Sequence, residues 1–171
     1  MTVLATYFML DCSASMHGPK HQAMIDVYDL ILGCLTQGFP DSASVSISAI
    51  SYASDVTVLF HKQAINPRPA LPDLTMAGVT RLVPAFHQLQ KWLDDDESNA
   101  LVFWLTDNGH ADDVSVIGVG LFPFHERLNL VRVSIHSTVP LDSFVPVDRE
   151  IDIMNASELR EYIKSIVQNL A

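Results

Sequence analysis

Asp11, Ser13 and Ser15 stand at alternate positions in the stretch Tyr7-Phe8-Met9-Leu10-Asp11-Cys12-Ser13-Ala14-Ser15-Met16-His17-Gly18, where an apolar run ends and a helical pattern begins. A carboxylate and two hydroxyls gathered on such a turn offer oxygen ligands to a hard cation such as Mg2+, which takes six oxygens at about 2.0 to 2.1 Å. The same residues also suit a plainer task. Ser and Asp at a helix start accept hydrogen bonds from backbone amides that have no helical partner. The rest of the chain has to decide between the two.

The elements that would position these groups follow from periodicity. Thr2 to Leu10 is apolar or β-branched on both faces, as expected of a strand covered on two sides in a parallel sheet. Pro19 suits the first position of a helix, and Ala23, Val27, Leu30, Ile31 and Cys34 recur at helical spacing up to about Gly38. Ala43 to Tyr52 and Asp55 to His61 alternate as two strands of a hairpin, which places an antiparallel pair at or near an edge. Three prolines between Asn66 and Pro72 predict a loop. Leu82, Phe86, Leu89 and Leu93 then share one face of a second helix.

Ala100 to Thr106 is the most apolar segment and reads as the central strand, ending in Asp107-Asn108-Gly109. Within residues 110–128, Val114 to Gly120 is compatible with a strand or an irregular segment, and His125 to Leu128 with the close of a short helix. Leu130 to Ser137 alternates as a strand ended by Ser137-Thr138-Val139-Pro140, and Glu150 to Met154 makes a short last strand. Asn155 and Glu158 have capping-box spacing before a helix with Leu159, Ile163, Ile166 and Leu170 on one face. Alternating strands and helices predict an α/β, doubly wound, mostly parallel sheet with one antiparallel edge strand and helices on both faces. In such sheets ligands bind outside the carboxyl ends of the strands, where strand order reverses. Asp11, Ser13, Ser15 and Asp107 all fall at that end.

Composition excludes several classes. With 20 acidic residues against 10 basic ones the net charge is -10, which repels nucleic acid instead of releasing its counterions. No apolar run approaches the ~18 residues that cross a bilayer, and the first residues carry no basic leader, so no membrane role is expected. Cys12 and Cys34 read as reduced residues of a cytoplasmic protein. The 171 residues are read as a single domain, 1–171, large enough to bury roughly 70% of the unfolded surface.

Enzyme signatures are missing. Neither serine sits in a Gly-x-Ser-x-Gly elbow, and neither a P-loop nor a dinucleotide fingerprint follows the first strand. A phosphatase on this scaffold would place a second acid where Ser13 stands. His17 and His21 lie four apart but lack the glutamate of a zinc motif and read as a pair on the rim of the site, with His110 beside them. Asp112 and Asp113, and the run Asp94-Asp95-Asp96-Glu97, read as solvated loop acids.

Asp11-x-Ser13-x-Ser15 after the first strand, Thr80 in Gly78-Val79-Thr80 before a helix, and Thr106-Asp107 ending an apolar strand resemble the metal-ion-dependent adhesion site of von Willebrand factor type A domains. The likeness in order and spacing runs from about Thr2 to Leu170. Here Asn108 separates Asp107 from Gly109, and Asn tolerates positive φ. The resemblance implies a Rossmann-like fold and a Mg2+ (or Mn2+ or Ca2+) site. Ser13 and Ser15 would be direct ligands, Thr80 a direct or water-mediated one, and Asp11 and Asp107 would act mostly through water. Neutral hydroxyls leave the cation charge to capture an Asp or Glu carboxylate of a protein partner.

The chain is thus similar to stand-alone bacterial domains of tellurite-resistance-type, ATPase- or kinase-associated systems, and is expected to be a binding domain without catalysis. A metal-free interaction module is the alternative, followed by a metal-dependent hydrolase or phosphatase on the same fold.

Overall fold

The computed structural model describes residues 3–107, 109–136 and 145–170. Strand β1, Leu4–Asp11, is buried along its whole length and leads through a 3-10 turn at Ala14–Met16 into helix α1, Pro19–Gly38. Strands β2, Val45–Tyr52, and β3, Val56–Ala64, form the hairpin; helix α2 spans Leu82–Asp95 and strand β4 Asn99–Thr106. A short helix α3, Ile117–Leu121, and a 3-10 turn, Phe122–Phe124, precede strand β5, Leu128–Ser134. Strand β6, Arg149–Asp152, and helix α4, Ala156–Leu170, close the chain.

The sheet runs β3-β2-β1-β4-β5-β6, parallel throughout except for the antiparallel β2/β3 pair. The expected doubly wound sheet with one antiparallel edge strand is therefore present. β1 and β4, apolar on both faces over most of their length, lie at its centre. Chain order reverses between them. The edge strand β3 tolerates an exposed Val58, and its register shifts and the positive φ of Lys62 interrupt a ladder that would otherwise template further pairing.

α1 and α4 cover one face, α2 and α3 the other. α1 buries Met24, Val27, Tyr28, Ile31, Leu32 and Leu35, so its inward face is turned from the expected Ala23, Leu30 and Cys34. Leu30 and Cys34 are half-buried because they look into an open groove of about 630 Å³ between α1 and α4. The α2 stripe is as expected, widened by Ala85 and Trp92. On α4, Leu159, Ile163 and Val167 are buried while Ile166 and Leu170 are only half-covered. Asn155 Oδ1 accepts from the Glu158 amide at 3.2 Å, but the return bond of a capping box is not made, since the Asn155 amide donates to the Asp152 carbonyl.

Two expectations need correction. The acid run is not simply solvated: Asp96 pairs with Lys62 on β3 at 3.6 Å and accepts from the Ser98 amide at 2.9 Å. Asp112 is no loose loop acid either; its two oxygens accept from the first amides of α2, Leu82 at 2.9 Å and Val83 at 2.8 Å. Asn108 and the end signal at residues 137–140 lie outside the described residues. Both described cysteines are free thiols.

Candidate functional site

The carboxyl ends of β1 and β4 bring Asp11 and Asp107 to one end of the sheet, as the register of those strands requires. Asp11 is fully buried. Its Oδ1 accepts from the Ser13 amide at 3.0 Å and from the Ser13 hydroxyl at 2.6 Å, and its Oδ2 from the Thr106 hydroxyl at 2.7 Å. Burial lifts its carboxyl above the ordinary range; these three donors oppose the lift, and the charge on nearby Asp107 adds to it. Asp11 therefore works as the keystone that bends the chain after β1, holding Ser13 in place.

Ser13 is buried, whereas Ser15, 3.2 Å away between hydroxyl oxygens, is exposed. Asp107 is 6% exposed and meets the ammonium of Lys20 at 3.1 Å from Oδ2. Burial would raise this carboxyl too, but the Ser15 hydroxyl, the Lys20 ammonium and the Gly109 amide around it outweigh burial and hold it below the ordinary range. Its other oxygen, Oδ1, is buried and accepts no hydrogen bond of good geometry among the described residues. Cys12, beside Asp11, is pushed up to about 12 by burial and by that carboxylate, which leaves it a protonated packing residue.

Thr80 is buried and enters by its backbone: the Gly78 carbonyl accepts from the Ala14 amide at 3.0 Å and the Thr80 carbonyl from the Ala111 amide at 2.7 Å. Gly78 is needed at this crossing, for its φ is +84° and a Cβ would come within 2.6 Å of Ser54 Oγ. The loops after β1, before α2 and after β4 are thus laced together, with His17 exposed on the rim and His110 half-buried there. An open groove of about 320 Å³ lined by Cys12, Tyr52, Ser54, Thr57 and Gly78 runs beside the cluster.

All five predicted site residues therefore lie on three adjoining loops; Asp11, Ser13, Ser15 and Asp107 form one cluster, and Thr80 flanks it. The donors are oxygens alone, and Asp107 Oδ1 is buried with no hydrogen bond of good geometry among the described residues, so the set fits a hard cation chemically. Among the described residues no three His, Cys, Asp or Glu side chains gather to hold a metal ion, so the histidines make no centre of their own. Sequence reasoning missed Lys20. Its one trace was position: a lysine in the first turn of a helix, where the macrodipole disfavours a cation.

Beneath the site, Trp104 Nε1 donates to the Tyr52 hydroxyl at 2.7 Å, with Thr106 beside that hydroxyl. Arg132, 1% exposed, packs over the Trp104 ring at 5.8 Å and pairs with Glu150. A polar row therefore crosses the sheet from β6 to Asp11.

Solved structures share this fold. The ArnB paralog VWA2 from Sulfolobus acidocaldarius matches with a TM-score of 0.58 at 15% identity, over 96% of this chain and 45% of that one. The PilB minor pilin from Streptococcus sanguinis gives 0.74 at 10% identity, over 99% and 62%. A von Willebrand factor type A protein from Catenulispora acidiphila gives 0.68 at 16% identity, over 95% and 42%. This chain thus spans less than two thirds of the length of each. No curated protein matches the sequence. Among the described residues no helix is long and apolar enough to cross a membrane. The model of the von Willebrand factor type A domain matches residues 6–110, more than half of the chain, and the chain belongs to that family.

Proposed function

We propose that this chain is a protein-binding module that offers the carboxyl end of its sheet to a partner and catalyses no reaction. Residues 1–171 act in it as one domain, and its setting is the cytoplasm, which suits two free thiols. The observation that carries this reading is that the cluster's carboxylates are answered from within the chain: Asp11 by Ser13 and Thr106, Asp107 by Lys20. Such a cluster keeps its shape without a metal ion. Recognition then falls to the rim, where His17, exposed Val79 and His110 surround the hydroxyls, and to the groove beside Cys12.

One observation favours a second reading, divalent-cation-dependent capture of a partner Asp or Glu carboxylate. Asp107 Oδ1 is buried and accepts no hydrogen bond of good geometry among the described residues, and the Ser15 hydroxyl lies beside the same carboxylate. Mg2+, Mn2+ or Ca2+ held by Ser13, Ser15 and Asp107, with Thr80 and Asp11 in support, would supply a Lewis-acidic position for that carboxylate.

Thermal unfolding of chelator-treated protein with and without millimolar Mg2+, Mn2+ or Ca2+, run beside Asp11→Ala, separates the two. The metal-free module predicts the same Tm in all wild-type samples. A cation that binds only the folded state at a hundredfold excess over its Kd adds about 2.7 kcal/mol, and a rise of that kind in wild type but not in the variant would replace the first reading by the second.

A further inference from the structure

Lys20 is the second residue of α1, and nothing acidic in the helix's first turn accounts for it. A cation there opposes the helix macrodipole, so its place must be compensated elsewhere. The compensation lies 87 residues away: the ammonium sits 3.1 Å from Asp107 Oδ2, and the Ser15 hydroxyl shares the same carboxylate. An ammonium and a divalent ion make the same demand on this group, negative oxygen at short range. Lys20 holds Oδ2, so a divalent ion brought to Oδ1 meets the ammonium's repulsion across a single carboxylate that is 6% exposed, with the Ser15 hydroxyl beside both.

We propose that Lys20 is a tethered counter-cation that competes with a divalent ion for Asp107, so that the Lys20–Asp107 pair and metal binding exclude one another. This rests on the cation-binding reading of the same hydroxyls. It makes the metal-free state of the module a property of one side chain: the lysine fills the electrostatic place of the ion without its open coordination position. It is also reversible, since Lys20 is 30% exposed and has a long flexible stem that can swing into solvent.

Mn2+ binding to the chelator-treated 171-residue chain, followed by loss of the free Mn2+ signal in electron paramagnetic resonance, tests this on wild type, Lys20→Met, Lys20→Gln and Asp107→Asn. Circular dichroism establishes that each variant is folded. The expected result is Mn2+ bound at least tenfold more tightly by both Lys20 variants than by wild type, and not by Asp107→Asn. In chelator the Lys20 variants melt below wild type, and Mn2+ restores them. Equal affinity in wild type and Lys20 variants overturns the competition while leaving the cation site standing. No binding by any folded variant overturns the cation-binding reading and the competition with it.

Discussion

The two faces of the sheet are built from the same strands and differ in kind. On the face under α1 and α4, β1 and β4 present Phe8, Leu10, Phe103 and Leu105, and Phe8 stacks on Phe103 with centroids 5.6 Å apart. On the face under α2 and α3, the alternate residues of the same strands are Tyr7, Met9, Asp11, Trp104 and Thr106, and buried hydroxyl, indole and guanidinium groups run through the apolar contacts. The first face is mostly hydrocarbon, its polar groups limited among the described residues to such cases as the buried Thr6 hydroxyl and the Tyr28 hydroxyl that donates to the Pro69 carbonyl; the second is hydrogen-bonded and directional. Asp11 hangs from the second. The turn that fixes Ser13 is therefore hung from the face where geometry, and not only contact, is specified, while Asp107 is met by Lys20 of α1 from the other side.

The sharpest way to break this contrast is to damage each face and see what changes. Phe103→Ala removes a fully buried ring from the hydrocarbon face and should cost about 3–5 kcal/mol in urea unfolding, with the amide resonances of Ser13 and Ser15 little moved. A variant as stable as wild type would mean that this face is not the reserve of stability. Tyr52→Phe strips the acceptor from the buried Trp104 indole and should cost less, about 1–3 kcal/mol. Its effect should fall on the site, as shifted Ser13 and Thr106 resonances; unmoved resonances would show that the polar row stops short of Asp11.

The smallest effect is at the edge of the second face. His61 stacks on Trp92 at 4.7 Å and meets the Ser48 hydroxyl at 3.0 Å, and burial followed by the Lys62 charge lowers its imidazole below the ordinary 6.5. A lowered base favours the neutral form in the folded chain, so its contribution is complete above the unfolded value and fades as pH falls through the folded one. An NMR titration should find His61 protonating below the ordinary imidazole value of 6.5. A midpoint at or above the ordinary value would show that the stack does not disfavour the charge.

Legibility in the sequence followed the range of the interactions. β1 and β4 were plain because a strand buried on both faces is a continuous apolar run, and α2 because its stripe repeats over four turns. The site loop after β1 was visible because Asp11, Ser13 and Ser15 are neighbours. α3 was not, since five residues cannot display a helical period, and it is continued by a tighter 3-10 turn. Lys20 was missed and Asp112 misread for one reason: each looks solvated beside its own neighbours, and each finds its partner in a distant part of the chain, 87 and 30 residues away.

The bond from Asp112 to the start of α2 has a mechanical meaning. A helix of 14 residues is a rod of about 21 Å. Its front end is gripped by the loop that follows Asp107, and its far end carries Trp92 under His61 and leads to Asp96, tied to the edge strand by Lys62. A protein that docks on the rim and tugs that loop therefore loads the rod lengthwise. The strain arrives at the opposite end of the sheet, against an edge strand whose ladder is already interrupted, and by reciprocity anything that stiffens that edge changes how firmly the rim can be held.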